Sequence, residues 1–361
     1  MIKKILIIGG ILFGLLIISG AVGVYYFLPD ENKVLEFIEE HPAQTALHLV
    51  YNDEVLASQN ANKMMPLAST VKTVIAIEYA HQAASGQLDP DRKVSLAELD
   101  RYYVPMTDGG AHQAWLTNSK KEIENDSIPL RLVAKGMIQF SSNANTEWLL
   151  EKLGIEHVNQ RLDSLGVKQH TPLYYFVSAL FVGKELFPEQ EGDDLVKALR
   201  ALSDSEYRSA TEKIHQKLKQ DTTYKKEFGD LSMAVQKVWS DRLPASTVKE
   251  YASMMQKLNS RAYFSKEVQL YLNEVMETIM ENPANQNWLK HSGMKGGSTP
   301  FVLTKALYAT DLEGNRLEMV YFLNELNLMQ MSSLQLSMNQ FELNCIQSDD
   351  FREVVAKRIS K

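Results

Sequence analysis

Ser69 and Lys72 stand three residues apart in the segment Pro66-Leu67-Ala68-Ser69-Thr70-Val71-Lys72. A serine hydroxyl attacks an acyl carbon only when a neighbouring base takes its proton, and a lysine amine with a pKa lowered by partial burial is such a base. One turn along a helix face the amine reaches the hydroxyl, and a helix N-terminus stabilises negative charge on oxygen. Alone, Ser-x-x-Lys is also the pattern of a helix cap followed by a lysine that reaches solvent. Two later segments add weight. Ser141 and Asn143, in Phe140-Ser141-Ser142-Asn143-Ala144-Asn145, have the form Ser-x-Asn just before the amphipathic stretch Glu147 to Leu153. Ser141 there suits a proton shuttle towards a leaving group, and Asn143 an anchor for Lys72 or a substrate amide; the plain alternative is a polar helix cap. Lys295 opens a Lys-x-Gly triplet in His291-Ser292-Gly293-Met294-Lys295-Gly296-Gly297-Ser298-Thr299. Its ammonium suits a substrate carboxylate, and the glycines allow close backbone approach. A bulged, glycine-rich strand end is the alternative.

These residues need elements to hold them. Thr45 to Ala57 reads as two short strands around an Asn52-Asp53 turn. Val71, Val74, Ile75, Ile77 and Ala80 mark a buried helix between Thr70 and Ala84. The region from about 86 to 289 is mostly helical by period, with core stripes such as Leu195, Leu199, Leu202 and Met254, Met255, Leu258. Strand character returns from Gly293 to Thr299, then in Val-Leu-Thr-Lys-Ala-Leu-Tyr-Ala-Thr, a turn at Asp311 to Asn315, and Leu-Glu-Met-Val-Tyr-Phe-Leu; helical material closes the chain. Strands near both ends with helices between predict an α/β (α+β) fold: one antiparallel sheet built from both chain ends, flanking helices, and an all-helical subdomain. The charged stretch Glu185 to Lys226 reads as a solvated helical face. Asp108-Gly109-Gly110-Ala111-His112 reads as a turn, with a cleft rim as the alternative. His112 and His291 read as structural, and Cys345 as a buried small hydrophobe.

Composition removes other chemistries. The chain has 361 residues, 45% apolar and 23% charged, a globular balance with room for one large domain or two small ones. Its formal charge of −7 and lack of a basic stretch exclude the usual nucleic-acid footprint. A single cysteine excludes an intramolecular disulfide and a cysteine-based metal site, and the eight histidines are scattered, so neither metal nor cofactor is expected. Ile5 to Leu28 is a run of 24 residues without a charge, preceded by Lys3 and Lys4. A helix of that length spans a bilayer core of about 30 Å, and the two lysines place its start in the cytoplasm. An uncleaved single-pass anchor with the remainder extracytoplasmic is expected; Ser19-Gly20-Ala21 keeps a cleaved signal peptide as the competing reading. The expected division is 1–29 cytoplasmic tip and membrane anchor, 30–42 juxtamembrane helix or linker, and 43–361 catalytic domain, with 43–75 and 290–361 as its α/β part and 76–289 as its helical part.

The order Ser-x-x-Lys, Ser-x-Asn, Lys-x-Gly resembles the active-site serine penicillin-recognising superfamily, nearest to class A β-lactamases. The resemblance spans about Thr45 to Lys361 and is weakest between Gln169 and Leu243. It implies a β-lactamase/transpeptidase-like fold, Ser69 as acylated nucleophile, Lys72 as its base or proton relay, and Ser141 with Asn143 as the second catalytic element. Lys295 and Gly297 become the substrate-carboxylate strand, and the N–H groups of Ser69 and Ser298 the oxyanion hole. There are three departures from the pattern. Gly296 lacks the hydroxyl usual at the middle of the Lys-x-Gly triplet. Ser142 stands where class A enzymes usually have aspartate. No acidic residue lies between Asp163 and Glu185, where a deacylating glutamate is expected; Glu185, Glu189 and Glu191 are the nearest candidates. The implied function is a membrane-anchored extracytoplasmic serine hydrolase acting on a β-lactam or a D-alanyl wall peptide or ester. The alternatives are a D-Ala-D-Ala carboxypeptidase or penicillin-binding protein, and a low-turnover binding or sensor domain on the same fold.

Overall fold

The computed structural model describes residues 28–359 except 227, 228 and 230; the apolar N-terminal run up to residue 27 lies outside the described residues. Among the described residues no helix is long and apolar enough to cross a membrane.

Helix α1 (Lys33–Glu40) comes first, followed by the hairpin β1 (Thr45–Tyr51) and β2 (Glu54–Gln59). Asn52 and Asp53 turn between the strands with φ of 50° and 67°, as the short connection requires. A two-residue strand β3 (Met65–Pro66) leads into a 3-10 turn at Ala68–Val71 and helix α2 (Lys72–Ala84). Eleven of the thirteen α2 residues are buried. It is therefore a central helix, apolar on nearly every side, and its buried Glu78 is paired with Arg161 at 2.7 Å. Small strands β4 (Lys93–Ser95) and β5 (Ser127–Pro129) pair ahead of helix α3 (Leu130–Gln139) and helix α4 (Asn143–Leu153).

The helical stretch continues with α5 (Gly192–Ala201), α6 (Asp204–Gln220) and α7 (Met233–Asp241). Strand β6 (Ala245–Ser246) returns to pair with β3, so the whole excursion from 170 to 244 leaves and re-enters next to Ser69. Helices α8 (Val248–Asn259) and α9 (Lys266–Met276) follow, then the meander β7 (Leu289–Thr299), β8 (Val302–Asp311) and β9 (Arg316–Leu323). Helices α10 (Leu328–Gln347) and α11 (Asp349–Arg358) end the description.

The five long strands form one antiparallel sheet in the order β2-β1-β9-β8-β7. β1 pairs with β9 from Thr45↔Leu323 to Tyr51↔Leu317, which joins the two ends of the chain as expected. Alternate β9 residues serve opposite faces. Met319, Tyr321 and Leu323 pack in a core with α1 and α10, whereas Val320 and Phe322 pack in the larger core of the helical side. Because both faces are covered, β9 is buried along nearly all its length. Of the two readings for residues 30–42, helix and linker, the structure has a helix: α1 buries Val34, Leu35, Phe37 and Ile38 in the core it shares with α10 and the sheet. The charged stretch 185–226 is not only a solvated face, since α6 buries Tyr207, Ala210, Thr211, Ile214, His215 and Leu218.

Candidate active site

Ser69 lies in the 3-10 turn that opens α2, and the residue before it, Ala68, is held at φ 44°. Ser141, in the turn between α3 and α4, is held at φ 68°. Left-handed backbone at a non-glycine residue costs on the order of 1 kcal/mol and persists only where its surroundings over-determine it. Both candidate serines sit at or beside such a position. The surroundings are visible. Thr304 of β8 places its Oγ1 2.8 Å from Leu67 O and 2.8 Å from Thr70 Oγ1, tying the Ser69 turn to the sheet. Gly297 lies against the same turn; a Cβ there would stand 2.4 Å from Ser69 N. A side chain at 297 would push the strand off the turn, so the second glycine of the triplet is a close-approach position.

Lys72 projects from the first turn of α2 and is 1% exposed. Its Nζ donates to Ser141 O at 2.7 Å, Ser141 Oγ at 3.1 Å and Asn143 Oδ1 at 2.8 Å. Lys295 of β7, 4% exposed, donates to the same Ser141 Oγ at 3.1 Å and to Gly296 O at 2.8 Å. Two lysines thus converge on one hydroxyl. Burial, and then the charge of Lys295, push the Lys72 pKa well below the ordinary lysine range, against a small opposing pull from Asp108. Burial and then Lys305 bring Lys295 down to about 7. A lysine whose pKa is lowered in this way holds its neutral, proton-accepting form at lower pH than a surface lysine does.

The sequence-predicted residues therefore fall into one place. Ser69, Lys72, Ser141, Asn143, Gly297 and Ser298 all line a single cleft of about 870 Å³, and Lys295 is joined to it through Ser141. Ser142, at the position expected to be aspartate in class A enzymes, caps α4: its Oγ accepts from Asn145 N at 3.2 Å and lies 2.9 Å from His112 Nδ1. His112 is buried, which lowers its pKa, and stacks on Tyr103. His291 binds Asn259 Oδ1 at 2.9 Å and is brought by burial to about 4. The Asp108–Ala111 segment lines the cleft, so the rim reading holds over that of a simple turn.

Glu185 does not enter the site. It is held by Lys217 and, at 2.7 Å, by Tyr224, and neither it, Glu189 nor Glu191 lines the cleft. The wall that the 173–181 segment contributes is apolar, made by Phe176 and Leu180. The carboxylates that line the cleft are both engaged. Asp108 accepts from the backbone N–H groups of Gly110 and His112, at 3.1 and 3.0 Å, while Glu342 binds Lys305 at 3.1 Å and Tyr321 Oη at 2.6 Å.

Sequence reasoning missed what holds that wall. Glu147, one turn after Asn143 on α4 and fully buried, accepts from Val177 N at 2.9 Å, Ser178 N at 3.1 Å and Ser178 Oγ at 2.5 Å. His215 of α6 lies between Tyr102 and Tyr175, stacked at 4.9 and 3.7 Å, with Nδ1 3.3 Å from Glu147 and Nε2 3.4 Å from Glu151. The second contact is an ion pair whose geometry falls short of a hydrogen bond. No local signal marks His215, because its carboxylate partners Glu147 and Glu151 lie on α4, far earlier in the chain.

A model of the beta-lactamase enzyme family matches residues 31–287. The fold matches solved β-lactamases. One from Chitinophaga pinensis shares 15% identity over 87% of this chain and 98% of its own, with TM-score 0.52. A class A β-lactamase from Bacteroides cellulosilyticus shares 17% over 89% and 99%, also at 0.52. The chromosome-encoded β-lactamase of Vibrio parahaemolyticus shares 13% over 89% and 100%, at 0.53. Identities this low speak for the fold alone. No curated protein matches the sequence. With its family model covering most of the length, the chain belongs to the beta-lactamase enzyme family.

Proposed function

We propose that this protein is a membrane-anchored, extracytoplasmic serine hydrolase that forms an acyl-enzyme at Ser69. The observation that carries the reading is the buried Lys72 amine, one turn from Ser69 and fixed by Ser141 and Asn143. In this mechanism Ser69 Oγ attacks the acyl carbon and its proton passes to Lys72 Nζ. The N–H groups of Ser69 and Ser298 stabilise the resulting oxyanion. Lys72 returns the proton through Ser141 Oγ to the leaving group as the bond to it breaks, leaving the acyl group on Ser69. Lys295 and Gly297 present the strand against which a substrate carboxylate lies. The substrate class is a β-lactam or a D-alanyl peptide or ester.

Hydrolysis of the acyl-enzyme needs a base for water. Phe176 and Leu180 occupy the wall that an activating carboxylate would use, and Glu342 and Asp108 are already bound. Slow deacylation follows, and it favours the D-Ala-D-Ala carboxypeptidase or penicillin-binding reading over that of a fast β-lactamase. The test follows the intact mass of the full chain in detergent with benzylpenicillin, beside Ser69→Ala. An adduct that requires Ser69 and persists is the expected result. An adduct that vanishes as hydrolysed drug accumulates would mean an unrecognised base and a working β-lactamase. No adduct at any concentration would remove both β-lactam readings.

A further inference from the structure

The uncharged run that the anchored reading carries through a bilayer ends at Leu28, and no slack separates it from the folded chain. Lys33 Nζ donates to Leu28 O at 2.6 Å and Asp30 N to Ser337 Oγ of α10 at 3.2 Å, while Asn344 Nδ2 of α10 donates to Glu31 Oε2 at 2.5 Å. Two residues of chain reach at most about 7 Å, and a headgroup layer is about 5–8 Å deep. A bilayer left at Leu28 therefore lies close to the middle of α10.

The composition of α10 suits that position. Its single charged residue, Glu342, is buried and bound to Lys305 and Tyr321, so none of its exposed residues carries a charge. α6, by contrast, carries charges from Asp204 to Lys219. The water-facing side of a helix ordinarily presents charged and polar groups. On α10 that side instead exposes Leu328 at 59%, Met329 at 58% and Leu336 at 50%, and Leu28 is 52% exposed. Leu336 adjoins Ser337, and Met329 lies two turns before it, about 10 Å along the helix. The neighbouring α1 exposes Glu36, Glu39 and Glu40, so apolar burial, and not attraction to anionic lipid, must supply any contact with a membrane.

We infer that this side of α10 rests on the bilayer surface, with Leu328, Met329 and Leu336 in the headgroup layer of zwitterionic lipid. The inference depends on the anchored reading of residues 5–28. Leu328, Gln335 and Asn339 also line the cleft, so the contact holds one rim of the cleft at the membrane surface.

The test places the full chain in phosphatidylcholine vesicles and attaches a fluorophore at Met329→Cys, at Leu336→Cys and, as control, at Leu270→Cys. Leu270 is 65% exposed on α9, which packs on the opposite face of the sheet, and the native Cys345 is buried away from the reagent. Phosphatidylcholine bearing a nitroxide on its headgroup should remove most of the emission at 329 and 336 and little at 270. Met329→Asp with Leu336→Asp, read from a label at Ser332→Cys, should restore the emission. Quenching unchanged in that variant would leave the short connection alone to hold the contact, and overturn the role of the apolar side. Labels at 329 and 336 quenched no more than at 270, in chain that resists carbonate extraction, would overturn the contact and leave the anchor. Self-quenching between labels that fades as the protein is diluted in lipid would give this side of α10 to a second copy, and overturn the contact likewise. Release of the chain by carbonate would overturn the anchored reading, and this inference with it.

Discussion

At Gly297 a Cβ would stand 2.4 Å from Ser69 N and 2.7 Å from Leu67 O, both backbone atoms of the Ser69 turn. At its neighbour Gly296 the nearest atoms would be Lys305 Cε and Thr304 O at 3.5 Å, an ordinary contact. Gly297→Ala should therefore destabilise the fold by about 1–3 kcal/mol and slow Ser69 acylation at least about tenfold, seen together in thermal unfolding and in the rate of mass gain. Gly296→Thr should fold at least as well, since threonine suits a strand better than glycine. It restores a hydroxyl beside Lys295, so acylation by benzylpenicillin should rise by about three- to tenfold, the value of one hydrogen bond. No gain would count against this strand as the carboxylate site. Lys295 adds a pH dependence with a definite sign. With its pKa brought to about 7 by burial and Lys305, it is an ammonium below that pH and a neutral amine above. Acylation by the carboxylate-bearing benzylpenicillin should weaken as pH rises from 6 to 9, and acylation by neutral 4-nitrophenyl phenylacetate should not; parallel profiles for the two would show that Lys295 does not hold the carboxylate.

The elements of the site hang on a buried cluster contributed by α6. Burial would lower the His215 pKa, but the hydrogen bond to Glu147 and the adjacent Glu151 carboxylate outweigh it and lift it to about 8. Glu151 is likewise desolvated, yet His215, Tyr102 and Lys219 hold it well below the carboxylate range. Since the folded pKa of His215 exceeds the unfolded value near 6.5, its stabilisation is fully present below about pH 6.5 and is lost as pH rises through about 8. His215→Leu should cost about 3–5 kcal/mol, because the fully buried Glu147 loses its cation, whereas Glu151 keeps Lys152 and Lys219. It should also remove the fall in stability between pH 6.5 and 8 measured by urea unfolding; a fall that survives in the variant would assign it to another group. The cluster also shows where the sequence stopped being legible. Ser69, Lys72, Ser141, Asn143 and Lys295 were readable because each sits within a few residues of a helix start or strand that its own segment encodes. The β7–β9 meander was readable from alternation and its Asp311–Asn315 turn. His215, Glu147 and Ser178 meet only through tertiary packing across 31 to 68 residues, and no period or turn residue in α6 records that meeting. Asp108–Ala111 was readable as a turn, but its place on the cleft depends on where α2 and α4 put it.

For the whole molecule, closure of the sheet through β1 and β9 makes stability depend on residues far from the chemistry. The core on the outer face of the sheet joins α1, α10 and α11 to Leu47, Leu49, Met319 and Tyr321. α1 gives it Val34 and Ile38, each 0% exposed, and Thr45 Oγ1 bonds back to Ile38 O at 3.2 Å and to His41 O at 2.9 Å. Gln59 Nε2 of β2 donates to Ile38 O at 3.0 Å as well. α1 therefore sits on β1, the strand that joins the two ends of the chain, and is part of the folded core. Each of its four buried apolar side chains contributes about 1.5–3 kcal/mol on burial, part of which is offset by the entropy of ordering eight helical residues. A chain beginning at residue 43 should thus unfold at a clearly lower urea midpoint than one beginning at residue 30. Its slope should also be smaller, because less surface is buried on folding. Equal midpoints would mean that α1 packs on the sheet without stabilising it. A loss large enough to leave the shorter chain unfolded would mean that the folding unit begins at α1.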